Sequence, residues 1–242
     1  MPKAKPAYRE IERWSGNSHG RGGARVTNFL LHTQEGNGSA ESLAGYLQNP
    51  NSGVSYHYTV DNGGVVCDVV DTDLCSWSVL DANPISINLC FAGSRSAWSR
   101  QQWLDLMGRG IEIAAWLAVE DCRKYGIPTA VIAPPYRRAA GISDHRYVTD
   151  CLGIGDHTDV GPNFPWDVFA GHVRDFTTDR KDPPTMDAQT AAGLALDQLA
   201  GPGTRDGKNF PGWPQLGGRT IVNALAVIGQ KLGIEGFDPK AK

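Results

Sequence analysis

At 242 residues, with 40% hydrophobic and 20% charged residues, the chain is long enough for one large domain, or a domain plus an appendage, around a packed core. Its net charge of -3 gives no reason to expect nucleic acid as the main partner, and no apolar run reaches the length of a bilayer span. The five cysteines are odd in number and show no CxxC pair, so they read neither as a disulfide framework nor as a zinc knuckle, and they fit synthesis in a reducing cytosol.

Residues 1–24 are polar and rich in Gly and Ser, and read as an N-terminal arm wrapping the surface. The opening MPKAKPAYREIERW is basic but lacks the apolar stretch of a secretory signal. Val26 to Leu31 is a short apolar run bounded by glycine-rich sequence, the pattern of a buried strand. His32 follows at its carboxyl end, the edge where open α/β sheets bind ligands. A lone histidine there is more commonly a hydrogen-bonded core residue. Ser39 is placed to cap a helix through Leu43, Ala44 and Leu47, stopped at Asn49-Pro50. Val54 to Val60 and Val65 to Val70, joined by Asp61-Asn-Gly-Gly64, read as a β-hairpin. Alternation sends Tyr56 and His57 to opposite faces, so one of the two faces the His32 side.

Ile85 to Phe91 is a further strand. Ser99 with Gln102 forms a capping box, and the helix it starts runs to about Tyr125, with Gly126 past its end. Trp103, Leu106, Met107, Ile113, Leu117 and Ala118 recur at helical spacing and read as core. Thr129 to Ala133 reads as a short buried strand. It leads into Gly141 to Trp166, GISDHRYVTDCLGIGDHTDVGPNFPW, whose composition is that of a functional loop. His145 and Asp159 are its candidate metal ligands, with a third to come from elsewhere. Phe164 to Phe176 predicts a closing helix with Trp166, Phe169 and Val173 on one face. Beyond it, Thr177 to Asp187 has linker composition and Met186 to Leu199 can be helical. Gly201 to Gly218 is a loop anchored by Phe210 and Trp213. Thr220 to Leu232 predicts an amphipathic helix through Ile221, Leu225, Ile228 and Leu232. The division expected is an arm at 1–24, a main domain at 25–180, and a linker with a helical C-terminal appendage at 181–242.

FLLHTQEG, VSYHYTVDNGG and DHTDVGPNFPW, in that order over roughly Arg25 to Phe176, resemble three motifs of the zinc N-acetylmuramoyl-L-alanine amidases of the type-2 amidase and peptidoglycan-recognition superfamily. The TQEG variant, the arm and the WPQLGG segment at Trp213 to Gly218 are most similar to the amidase domain of mycobacteriophage endolysins. The resemblance implies an α/β fold with a mixed central β-sheet flanked by helices. It implies Zn2+ held by His32, His145 and Asp159, with a fourth position open for water, the catalytic pattern for this metal. It also implies Tyr56 as hydrogen-bond donor to the developing oxyanion and His157, two residues before Asp159, where many relatives place a catalytic lysine.

Four departures stand out. Some relatives carry a catalytic glutamate near the position of Cys90, Trp77-Ser78 replaces Trp-His, Val160-Gly161-Pro162 replaces Pro-Gly, and the gap from His145 to Asp159 is longer than in compact members. Glu35 is an alternative acid or base, although glutamates at such positions are more commonly surface residues. The implied partner is bacterial peptidoglycan, cleaved between N-acetylmuramic acid and L-alanine by an endolysin made in the host cytoplasm and passed to the wall by a holin. A non-catalytic peptidoglycan-binding module is the competing reading. A structural zinc site is disfavoured because such sites prefer four protein ligands.

Overall fold

The computed structural model describes residues 3–177, 213 and 216–234. In chain order the elements are β1 (Arg9–Glu12), β2 (Ser18–Gly20), β3 (Asn28–Thr33), α1 (Ala40–Leu47), β4 (Tyr58–Val60), β5 (Val65–Asp68), β6 (Leu74–Ser76), β7 (Ser86–Phe91), α2 (Arg100–Tyr125), β8 (Gly141–Asp144), the single turn α3 (His145–Tyr147), α4 (Trp166–Thr177) and α5 (Ile221–Lys231). The chain divides into two compact units, Met1–Arg180 and Lys181–Lys242. The first holds a mixed six-stranded sheet of order β1-β5-β4-β7-β3-β8, flanked by helices. All neighbours in it are parallel except β4 and β5. The N-terminal segment supplies β1, which pairs with β5 at the sheet edge, and β2, which pairs with β6 in a separate two-stranded ribbon.

The central strands β3 and β7 are buried on both faces, so each reads as a near-continuous apolar run. Phe29, Leu31, Ile87, Leu89 and Phe91 face one way, into a core closed by Trp103, Met107 and Ile111 of α2 and Phe169 and Val173 of α4. Leu30, His32, Asn88 and Cys90 alternate with them and face the other way, where α1 and the segment after β8 pack. The functional face of the sheet is therefore set by a period of two residues in two adjacent strands.

Helix α2 begins at the expected capping box, with the Ser99 side chain accepting from Gln102 N and Gln102 reaching back to Ser99 N. Gly126 ends it in the left-handed conformation that glycine adopts without strain. Leu106 is half exposed, not core: its position lies on the solvent edge of the apolar stripe. Thr129 to Ala133 forms no strand, because prolines bracket it; Val131 alone bridges to Ile142. The strand on that side is β8, inside the stretch read as loop. With one aliphatic residue in four, Gly-Ile-Ser-Asp carries too little periodicity to be seen as a strand, yet it pairs along β3 and is wholly buried.

In the second unit, α5 is capped by Thr220, whose side chain accepts from Asn223 N. Leu225, Ile228 and Leu232 of its apolar stripe are more than half exposed. The expected helix at Met186 to Leu199, the linker beyond Thr177 and Phe210 lie outside the described residues.

Asp121 of α2 is buried beside Tyr58, and its Oδ2 has no hydrogen-bond partner. Burial pushes its carboxyl up to about 7, against a hydrogen bond with Tyr58. The native state keeps a proton here that the unfolded chain has released. The stabilisation is fully present below the ordinary carboxylate pKa and is lost as pH rises through about 7. Asp121→Asn removes that loss, so its stability relative to the parent should rise between about pH 4 and pH 8, by on the order of 4 kcal/mol. Urea midpoints across that range test this; parallel curves would contradict it.

Candidate metal centre and catalytic cleft

His32 is the fifth residue of β3, and its Nδ1 points at two groups from the Gly141 to Trp166 stretch. It lies 3.1 Å from His145 Nδ1 and 3.4 Å from Asp159 Oδ2. His145 Nδ1 is 3.5 Å from Asp159 Oδ1. One potential ligand atom from each of the three residues lies within 4.8 Å of the other two. The His32 and His145 side chains are 0% and 7% exposed, so the cluster is screened from water.

Each member is held by backbone built for it. His145 begins α3 directly at the end of β8, where Asp144 caps the turn by accepting from Tyr147 N. The other oxygen of Asp144 accepts from Tyr136 Oη and Val160 N, tying the Asp159 loop to β8. Burial pushes the Asp144 carboxyl up to about 7. Asp159 is itself fixed: Thr33 N donates to its Oδ2, and Arg146 N to its carbonyl. Behind it, Gly161 sits at φ 94° where an added Cβ would lie 2.1 Å from Ser96 O, so only glycine fits.

The charge states suit a cation. Burial lowers His145, opposed by Asp159, which favours neutral imidazole. For Asp159, burial would raise the carboxyl, but hydrogen bonds with His145 and His32 outweigh it and hold the group well below the usual range. Two imidazole nitrogens and an ionised carboxylate are a donor set that zinc accepts.

His145 and Asp159, with His32 buried behind them, form part of the wall of a cleft of about 410 Å³ that is also lined by Gln34, Glu35, Tyr56, Ser96, Asp156 and His157. A second, more apolar cleft of about 330 Å³ shares Tyr56, His145 and His157 and continues to Val54, Trp77 and Leu80. Tyr56 precedes β4 rather than lying in it, yet it does face the site: its ring centroid is 4.9 Å from that of His32. Burial, then the nearby Cys90 and Asp159, raise its hydroxyl well above the ordinary range, so it remains a proton donor at neutral pH. His57 points the other way, as alternation requires, and burial lowers it to about 3. Cys90 pairs in register with His32, and burial raises its thiol well above the ordinary range.

His157 stacks on His145, centroids 4.2 Å apart and planes 5° from parallel, with Nδ1 3.6 Å from Asp159 Oδ1. Its side chain is 62% exposed, at the mouth of the cleft. Glu35 is exposed, at φ 54°, with Oε1 accepting from Thr33 Oγ1 and Ser96 N.

Sequence reasoning missed Asp144 and Asn88, and met Gly161 only as part of a departure from the Pro-Gly motif. Asn88 accepts from His32 Nε2 at 2.9 Å through Oδ1. A polar residue in the middle of the apolar run Ile85 to Phe91 was the available signal.

The N-acetylmuramoyl-L-alanine amidase family matches residues 22–162, more than half of the chain. The chain belongs to that family. A second match, to the Rv3766 C-terminal domain, covers residues 195–236. No curated protein is significantly similar in sequence. Among solved structures, the Staphylococcus aureus hydrolase AmiA in complex with its ligand is similar with a TM-score of 0.57 at 18% identity, over 73% of this chain and 95% of that one. A selenomethionine derivative of AmpD is similar with a TM-score of 0.51 at 16% identity, over 71% and 96%. The amidase LysC from Clostridium intestinale is similar with a TM-score of 0.50 at 12% identity, over 69% and 99%. At these identities the likeness establishes the fold: a mixed α/β sheet flanked by helices.

Gly161→Ala tests how the amidase fold holds Asp159. The clash with Ser96 O and the left-handed backbone should cost roughly 1–3 kcal/mol. They should also weaken metal retention by displacing Asp159. Urea unfolding and metal content check this; unchanged values for both would show that the loop has slack.

Proposed function

We propose that the chain hydrolyses the amide bond between N-acetylmuramic acid and L-alanine of bacterial peptidoglycan, with Zn2+ held by His32, His145 and Asp159, and that it serves as a phage lytic enzyme. The observation that carries the reading is the convergence of those three side chains at a cleft that His145 and Asp159 line together with Tyr56 and His157, His32 lying buried behind them. Zinc bound there would polarise the scissile carbonyl and lower the pKa of its water toward ~7.

The protein's own groups do the rest. Tyr56, kept protonated by burial, donates a hydrogen bond to the carbonyl oxygen as it gains charge. His157, exposed at the cleft mouth and stacked on His145, donates to the tetrahedral intermediate or hands a proton to the leaving amine. Cys90, a buried neutral thiol, occupies the place of a carboxylate base, so proton acceptance falls to a residue of the cleft. Glu35 is the second candidate for it, its carboxylate oriented by Thr33 and Ser96. The complete set of candidate ligands argues against a peptidoglycan-binding module without activity. Passage to the wall through a holin belongs to the same reading. Among the described residues no helix is long and apolar enough to cross a membrane.

Purified protein should contain about one zinc per chain and release peptides with a free N-terminal L-alanine from muropeptides. His32→Ala should lose both; if it keeps stoichiometric zinc and full lysis, the assignment fails. His157→Ala should keep zinc and lose roughly 10²–10³ in kcat, while Glu35→Gln stays within a few-fold. The reverse ranking would give the proton transfer to Glu35. Loss of zinc in His157→Ala with retention in Asp159→Ala would make His157 the ligand.

A further inference from the structure

Behind the cluster, on the side away from the cleft, lies a buried polar network that the proposed chemistry leaves unused. Its centre is Asn88 of β7, fully buried like His32, His57, Ser76 and Ser86 around it. Polar groups at this depth are tolerated only when each has a partner, so their proton positions can be worked out one by one.

The serine hydroxyls settle the direction. Ser86 Oγ donates to Ala82 O at 2.9 Å. Ser78 Oγ donates to Ser55 O at 2.5 Å, so in the 2.7 Å contact between Ser76 Oγ and Ser78 Oγ it is Ser76 that donates. Both Ser76 and Ser86 have then spent their protons and offer only lone pairs to Asn88, at 3.1 and 3.0 Å. The atom facing them must be the amide nitrogen, because an oxygen there would meet two acceptors. Asn88 Oδ1 therefore faces His32 Nε2, at 2.9 Å, and that nitrogen carries a proton. The Asn88 backbone is pinned as well: its N–H donates to His57 Nδ1 and its carbonyl accepts from His57 N, both at 2.9 Å. His57 Nε2 in turn donates to Leu74 O. The 3.3 Å approach of Arg21 Nη2 to that nitrogen is then a contact between donors, and the guanidinium donates instead to Thr72 O and Ser86 O.

We infer that Asn88 is a positioning residue that locks His32 in its Nε2–H tautomer, leaving the bare Nδ1 lone pair aimed at the space between His145 and Asp159. Ser76 and Ser86 set the direction of the Asn88 amide, and His57 sets its height along the sheet. A metal-binding imidazole is oriented by what its other nitrogen donates to. Here the acceptor is a neutral amide whose own orientation is fixed by two spent hydroxyls. The inference rests on the metal reading of the cluster, but the tautomer itself can be observed without metal.

The test uses isotope-labelled full-length protein, free of metal and at mildly alkaline pH, with imidazole nitrogen shifts read by NMR. His32 should carry its proton on Nε2, and the same nitrogen should keep it when zinc is added. Asn88→Leu, which removes the acceptor, should mix the two tautomers and weaken zinc binding by roughly 10–100-fold. Asn88→Asp keeps an acceptor toward His32, and Ser76 and Ser86 can turn their hydroxyl protons from Ser78 and Ala82 to its second oxygen, so it should hold the Nε2–H tautomer and bind zinc within a few-fold of the parent. A parent His32 protonated on Nδ1 overturns the inference, as does a folded Asn88→Leu with unchanged tautomer and affinity. Should Asn88→Leu not fold, the parent tautomer and Asn88→Asp decide: an Asn88→Asp protein that folds but binds zinc as poorly as His32→Ala also overturns it. A parent that shows the Nε2–H tautomer but takes up no zinc would instead defeat the metal reading and leave the tautomer lock standing.

Discussion

Two buried imidazole nitrogens lie 3.1 Å apart with a single carboxylate against both. Two bare lone pairs at that distance would repel, so without a metal one ring must donate its N–H to the other. With a metal ion between them, both nitrogens and the carboxylate can turn lone pairs toward it, and an oxygen with two nitrogens is a ligand set suited to zinc. The rest of the first unit can be read as the apparatus that forces these groups together. Strand β3 presents His32, β8 and its Asp144-capped turn present His145, and Thr33 N with the Gly161 turn presents Asp159.

The apparatus works because β3 and β8 are parallel neighbours. Their carboxyl ends therefore emerge side by side, the edge at which open α/β sheets gather ligands. On the opposite face, α2 and α4 close an apolar core against Phe29 and Leu31 of β3, Leu89 and Phe91 of β7 and Ile142 of β8. The His32 face is also packed, by α1 and the segment after β8, but at its centre Asn88, His57 and three serines are held by hydrogen bonds, a costlier construction that fixes direction as well as position.

Much of this is legible in the sequence. The capping box of α2, the Ser39 cap of α1 and the opposite facing of Tyr56 and His57 follow from local rules. The approach of His145 and Asp159 to His32 was legible only through the resemblance, because nothing in their spacing dictates it. The strand β8 was not legible: four residues with one aliphatic side chain carry no period, and only pairing with β3 makes them a strand. The same holds in reverse for Thr129 to Ala133, apolar enough for a strand but bracketed by prolines. Asn88 was visible as an anomaly in an apolar run, but its partner could be found only across the sheet.

The central claim is that His32, His145 and Asp159 together bind a metal ion through nitrogen and oxygen. X-ray absorption at the zinc edge of the purified, zinc-loaded protein tests it most directly. The account predicts a shell of light atoms at ~2.0–2.2 Å with the outer scattering of two imidazoles, and no sulfur at ~2.3 Å. A sulfur shell, which would bring in a cysteine such as Cys90, would contradict it, as would a spectrum that Asp159→Ala leaves unchanged.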